Sequence, residues 1–307
     1  MKNSSGIGQP RPDSSNRQSS NPGLGLAFSS ALFYTSYDVG VRSLIGDLSV
    51  WGMLFLRGCV GLTVMLVLAR IFSRPLWGRQ TPLLLLIGFF AFGSSICNAI
   101  SLSSIPLYQA LMIIYFYPVF TLLLAGPVNG EPVTGRDLTL TLLAVAGGMA
   151  LVWPDQAVGL EFRPQHIVGI GGAFLYSLGQ VSIRRMGPGN SGLEPIFFYS
   201  LYAFFLAVPM SMIFNVELGL NSFGGVGGAF ILATLGISAQ LSGYAALRWI
   251  PGFKVGIIGY LELLIGGFIS WLVFSDPMGL RALAGGMIVV FAVFQLRKSR
   301  AAPSKSR

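Results

Sequence analysis

The sequence predicts an all-α polytopic membrane protein: ten transmembrane helices built as two inverted five-helix repeats, with both termini on the cytoplasmic side (N-in, C-in). Three observations predict it: the composition, a series of ten apolar runs, and an internal repeat. Of the 307 residues 53% are hydrophobic and only 10% are charged, against about 25% charged in an ordinary soluble domain. Such a chain has too little polar surface to cover a soluble globule. Its 40 glycines suit membrane helices, where small residues let backbones approach closely.

Residues 1–23 are rich in Ser, Asn, Gly and Pro and cannot bury a core, so a disordered tail is expected. A cleaved signal is not expected, because a long polar stretch precedes the first apolar run and Asp38 falls inside that run. Apolar runs bounded by Pro, Gly and charges follow at 24–44, 50–69, 82–101, 105–126, 136–153, 167–186, 194–214, 225–247, 253–274 and 280–296. Each has about the ~20 residues needed to cross a bilayer. The first repeat then covers 24–153, a connecting loop 154–166, the second repeat 167–297, and a basic tail 298–307.

The net charge of +9 is concentrated in tails and short loops. Of the 20 Lys and Arg, sixteen fall on the side of the two tails, Arg42, Arg163 and Arg281 on the other, and Arg57 within a span. That bias is the topology signal of a membrane protein with cytoplasmic tails, and it makes nucleic acid an unneeded partner. Cys59 and Cys97 lie in apolar runs without ligand spacing and are expected as packing residues. The one histidine, His166, lies in a polar loop, so zinc or haem chemistry is not expected.

Sliding the chain by 142 residues lays 31–42 on 173–184, matching Ala31, Tyr34, Val39 and Arg42 with Ala173, Tyr176, Val181 and Arg184. A slide of 145 matches Ile105-Pro106 with Ile250-Pro251, Tyr115 with Tyr260, Glu131-Pro132 with Asp276-Pro277, and Arg136 with Arg281. An odd number of helices per repeat makes the second copy enter the membrane from the opposite side. Inverted repeats of this kind are a hallmark of secondary transporters, with a substrate site between the repeats near the midplane.

Five plus five helices, Arg57 in the second span, Tyr115-x-x-Pro118 in the fourth, and an acid after the fourth and ninth spans resemble the EamA-type members of the drug/metabolite transporter superfamily. The resemblance covers about residues 24–297. It implies a ten-helix transporter of metabolites, often an exporter of amino acids or related compounds; the bacterial aromatic amino acid exporters are one branch. Asp276 departs from the Glu usual at that place in the second copy.

Charges within spans usually face the bundle interior or a cavity. Here they are Asp38, Arg57 and Glu262. By helix rise, Asp38 and Arg57 lie roughly 10 Å from the same membrane face on consecutive helices, so an ion pair between them is expected. Tyr34 and Asp38 share a helix face, as do their repeat partners Tyr176 and Gln180, which suggests a lined cavity. Tyr115, Tyr117 and Tyr260 sit inside the spans, away from the interfacial aromatic belts, and offer flat apolar faces with a hydroxyl. Pro118 removes a backbone hydrogen bond from its helix and is expected to kink it. Glu262 is the lone acid in 255–274 and a candidate proton or cation site. Tyr34, Asp38, Arg57, Tyr115, Tyr117, Gln180, Tyr260 and Glu262 are therefore the expected substrate-binding and translocation residues. No catalytic or metal-ligating residue is expected, and no cofactor beyond proton coupling.

Glu131-Pro132 and Asp276-Pro277 are expected to begin the last helix of each repeat, with the acid capping free amides. The glycine-rich stretch 224–228 has no preceding strand and no following Gly-Lys-Ser/Thr, so close helix packing explains it better than a nucleotide loop. The leading functional expectation is a monomeric exporter of small amphipathic metabolites in a bacterial inner membrane, with a small-molecule substrate and the lipid bilayer as its partners. The alternatives are a multidrug or quaternary amine cation exporter, a passive channel and an intramembrane enzyme.

Overall fold

In the computed structural model, residues 21–44, 49–73, 75–77, 80–105, 107–153, 162–186, 192–219, 223–274 and 279–298 are described. Residues 1–20 of the expected N-terminal tail, 299–307 of the C-terminal one, 154–161 of the connecting loop, Pro106 and Asp276-Pro277 lie outside the described residues. Eleven helices and no strand occur among the described residues: α1 (Asn21–Leu44), α2 (Val50–Ile71), α3 (Thr81–Ser104), α4 (Leu107–Ile114), α5 (Tyr117–Asn129), α6 (Gly135–Val152), α7 (Pro164–Arg185), α8 (Leu193–Ile213), α9 (Phe223–Ala246), α10 (Gly252–Phe274) and α11 (Leu280–Lys298). Eight helical stretches among them are long and apolar enough to cross a membrane, α4 and α5 together making one of these, and 280–296 is a shorter apolar helix. The glycine-rich stretch 224–228 forms the first turns of α9.

The helix ends follow from local chemistry. Ser49 caps α2 by accepting from the Gly52 amide at 3.2 Å. Thr134 and Asp137 form a reciprocal capping box at the start of α6, which satisfies two otherwise orphaned donors. This corrects the capping role expected for Glu131. The last turn of α5 ends at Gly130, whose left-handed φ of 66° lets the Glu131 amide reach back to the Ala125 carbonyl at 3.2 Å. That closure aims Glu131 away from α6, and its carboxylate pairs with Arg184 at 2.7 Å instead. His166 also differs from expectation, lying in the first turn of α7, where Nδ1 is 3.0 Å from the Arg163 amide and Nε2 is 2.9 Å from Gln109 Oε1. Cys59 and Cys97 are free and half-buried.

The fourth apolar run is divided rather than merely kinked. Pro118 has no amide to donate to the Ile114 carbonyl, and its ring would crowd that carbonyl in a continuous helix. The chain answers with a turn at Tyr115–Phe116, in which the Val119 amide bonds to the Phe116 carbonyl at 3.1 Å. The Tyr115 carbonyl, which Val119 would otherwise occupy, is released and accepts the Tyr260 hydroxyl from α10. Helix α10 comes close enough because Gly256 and Gly259 face the break. A Cβ at Gly256 would stand 2.7 Å from the Pro118 ring, and one at Gly259 would stand 3.0 Å from the Tyr117 hydroxyl.

The Pro118→Ala variant is expected to join α4 to α5, with Val119 then donating to the Tyr115 carbonyl and displacing Tyr260. The amide gained at position 118 should bond to the Ile114 carbonyl and exchange about tenfold more slowly than an open amide, the value of one good hydrogen bond. Exchange at the open-amide rate would show that proline does not cause the break.

The helices pack in a recurrent pattern. Helix α1 lies along α9 and α10, α3 along α7 and α8, α2 along α8 and α9, α5 along α7, and α6 along α11. The α6–α11 contact is close: a Cβ at Gly285 would meet the Gly147 carbonyl at 2.6 Å. A cavity lies between the remaining helices.

Candidate functional site

The cavity has a volume of about 220 Å³. Six of the eight expected site residues line it: Tyr34 from α1, Arg57 from α2, Tyr115 and Tyr117 at the break between α4 and α5, Gln180 from α7 and Glu262 from α10. The other two do not line it. Tyr260 is 1% exposed and holds the Tyr115 carbonyl. The Asp38 carboxyl lies within hydrogen-bonding reach of Glu262.

Arg57 is held at one pole. One guanidinium nitrogen is 3.4 Å from the Gly236 carbonyl and 3.3 Å from Gln240 Oε1, and Nε is buried with no hydrogen-bond partner. Its carbon lies 5.7 Å from the Tyr37 ring centre and 5.5 Å from that of Tyr199, within cation–π range. Gly236 makes room for this stack, since a Cβ there would stand 3.3 Å from the guanidinium carbon. The expected ion pair with Asp38 is not among the described contacts: Arg57 acts on Asp38 through its field, and the Asp38 carboxyl lies within reach of Glu262.

Glu262 forms the other pole. Its Oε1 accepts the Tyr115 hydroxyl at 2.6 Å, a short hydrogen bond. Its backbone carbonyl accepts from Thr35 at 3.3 Å, which ties α10 to α1. The break at Tyr115 therefore serves Glu262 twice, positioning the phenol that meets it and anchoring Tyr260 two residues away on its own helix. Tyr34 and Tyr176 lie in the fields of both Arg57 and Glu262. The wall joining the poles is mostly tyrosine, with Tyr117 packed edge-on against Tyr176 at 4.8 Å between ring centres.

Several lining residues were not singled out from sequence. Tyr199, Gln240 and Tyr244 come from α8 and α9, and Ser94, Ser95 and Asn98 from α3. Gln240 donates to the Tyr244 hydroxyl at 2.8 Å while accepting from Arg57, so it fixes the orientation of the guanidinium. A signal for these residues exists: Asn98 and Gln240 are amides inside apolar runs, and Gln240 and Tyr244 share a helix face. Among the described residues no group of three His, Cys, Asp or Glu gathers as a metal site would require.

Comparison with known proteins fits this architecture. Residues 21–153 match the EamA-like transporter family. The pseudopaline exporter CntI of Pseudomonas aeruginosa is 22% identical over 91% of this chain and 96% of its own length. The S-adenosylmethionine uptake transporter of Rickettsia prowazekii is 21% identical over 76% of this chain and 77% of its own. A crystal structure of a protein 15% identical in sequence shares the fold, with a TM-score of 0.78 over 91% of this chain and 98% of that one. The first part of the chain is thus similar to the EamA-like transporter family, and transporters align with it along most of its length.

Proposed function

We propose that this protein is a secondary transporter of small amphipathic metabolites carrying both a cationic and an anionic group, amino acids and their derivatives foremost, which it moves by alternating access. The observation that carries the reading is the cavity's two poles. Arg57, flanked by tyrosine faces, suits a carboxylate, and Glu262 with Asp38 suits an ammonium group. S-adenosylmethionine, named for one relative, has such a zwitterion in its methionine part. Since one named relative exports and another takes up its substrate, export by this chain rests on the resemblance alone.

Ten spans in two inverted repeats are part of the proposal, and the helix packing supports them. If α1, α2, α3, α4–α5 and α6 correspond to α7, α8, α9, α10 and α11, the α1–α9 contact exchanges with α7–α3, and α1–α10 with α7–α5. The α2–α8 and α6–α11 contacts map onto themselves. A two-fold pattern of that sort is what alternating access uses. The positive-inside bias supports termini on the cytoplasmic side of a bacterial inner membrane, and one chain holding the whole cavity supports a monomer.

The reading is tested by thermal stabilisation of the purified protein with an amino acid, its methyl ester and its N-acetyl derivative. Ligand binding stabilises by mass action, about 2.7 kcal/mol at a hundredfold excess over Kd. Only the intact zwitterion should stabilise fully. Equal stabilisation by the ester or by a quaternary amine would transfer the protein to the cation exporters.

Proton coupling belongs to the same proposal. A hydrogen bond between two carboxyl groups needs a proton, and the Asp38–Glu262 pair links α1 to α10. Glu262→Gln keeps an acceptor for Tyr115 but removes the titrating group. Proteoliposomes bearing it should lose at least about tenfold of the flux that a pH gradient drives, roughly one charged hydrogen bond's worth. Unchanged flux and pH dependence would remove Glu262 from the mechanism.

A further inference from the structure

On α7, Tyr176, Gln180 and Arg184 follow one another at intervals of four residues and so lie on one face. The first two line the cavity. Arg184 stands one turn, about 5.4 Å, beyond Gln180. Its Nε donates to Glu131 Oε1 at 2.7 Å and its Nη1 to the Leu247 carbonyl at 2.7 Å. Leu247 is itself a cavity residue. One guanidinium thus joins the segment after α5, the end of α7 and the end of α9 immediately past the cavity floor. Both members of the ion pair are largely covered, with side chains 25% and 17% exposed. Lys254 at the start of α10 lies in the fields of Asp137, Glu131, Arg136 and Arg184, so charges from four elements meet here. Glu131 Oε2 is buried with no partner, which leaves the junction short of full satisfaction and favours its opening.

We infer that Glu131–Arg184 is a gate: an ion pair that seals the cavity at this end and must part for substrate to pass there. It rests on the transporter reading above. The pair connects the first repeat to the second, as a gate between moving halves must. Arg184 does not contact the Arg57 or Glu262 poles, so its part is to close the path and not to bind substrate. The cation released when the pair parts would face the tyrosine–glutamine stripe along which a carboxylate leaves.

Accessibility tests this without any substrate. In a Cys59→Ala, Cys97→Ala background, Val255→Cys places one thiol in the cavity wall. A membrane-impermeant maleimide is added to either face of sealed vesicles containing the purified protein. From the Arg184 face, the cytoplasmic one in the proposed topology, Glu131→Gln or Arg184→Gln should speed labelling at least tenfold. The exchange Glu131→Arg with Arg184→Glu should restore slow labelling, and rates from the opposite face should not rise. Labelling from the Arg184 face that stays slow in both single variants, or fast single variants that the charge exchange fails to slow, would overturn the gate. Circular dichroism and gel filtration confirm that each variant is folded. Zwitterion flux measured on the same vesicles judges the transporter reading separately, because absent flux in the parent protein would sink that reading while the labelling still decides whether the pair closes the cavity.

Discussion

Arg57→Gln is expected to reduce zwitterion flux into proteoliposomes by about two orders of magnitude. The guanidinium is the only formal cation among the residues lining the described cavity, and hydrogen bonds to charged groups contribute about 1.5–3 kcal/mol each. Gln can still meet Gln240 or the Gly236 carbonyl, but it offers no charge to a carboxylate and no cation to the rings of Tyr37 and Tyr199. Arg57→Lys should recover only part of the loss, because an ammonium is a point charge and cannot fork between a ligand and the Gly236–Gln240 pair. The fold should survive either change, since the Asp38 carboxyl lies within hydrogen-bonding reach of Glu262. Measured flux and ligand-induced thermal shift should fall together. Flux at the parent level in Arg57→Gln would remove the carboxylate pole from the proposal.

The largest expected effect on stability comes from the neighbouring glycine. A Cβ at Gly58 would lie 2.6 Å from the Phe204 nitrogen, 2.9 Å from its Cα and 3.0 Å from the Ala203 carbonyl carbon, all of them backbone atoms of α8. Backbone cannot rotate aside as a side chain can, so Gly58→Ala must push α2 and α8 apart at this crossing. Overpacking typically costs about 1–3 kcal/mol, and Gly58→Leu should exceed Gly58→Ala. Gly25 is the matched control, with nothing within 4 Å of its Cβ position; Gly25→Ala should leave stability unchanged or raise it by up to about 1 kcal/mol. Melting temperatures in detergent should separate the two sites clearly. A Gly58→Ala protein as stable as Gly25→Ala would mean that α2 and α8 separate freely.

The spans were legible because each is a long apolar run closed by charge, proline or glycine, and their helices end within a few residues of the expected places. Pro118 was legible as a disturbance, but the position of the break was not. It depends on Tyr260 arriving from another helix to donate to the freed Tyr115 carbonyl. The pairing of Asp38 shows a different limit. Helix rise gives depth in the membrane, and on depth alone Asp38 belonged with Arg57. Depth says nothing of tilt or of which helices are neighbours, and α1 packs on α10, where Glu262 waits. Glu131 misled for a local reason, since the left-handed turn at Gly130 carries it past the cap position. Asn98 and Gln240 could have been noticed by extending the argument about buried charge to buried amides.

No residue of α6 or α11 lines the cavity, and these two helices clasp each other where Gly147 meets Gly285. Recognition and scaffolding thus fall on separate parts of the chain. Descendants of such a protein can exchange wall residues on α1 to α5 and α7 to α10, and so acquire a new cargo, without disturbing the clasp. Drift within α6 and α11 is constrained mainly by bulk at that crossing. A lineage built this way can diversify its substrates far faster than its shape.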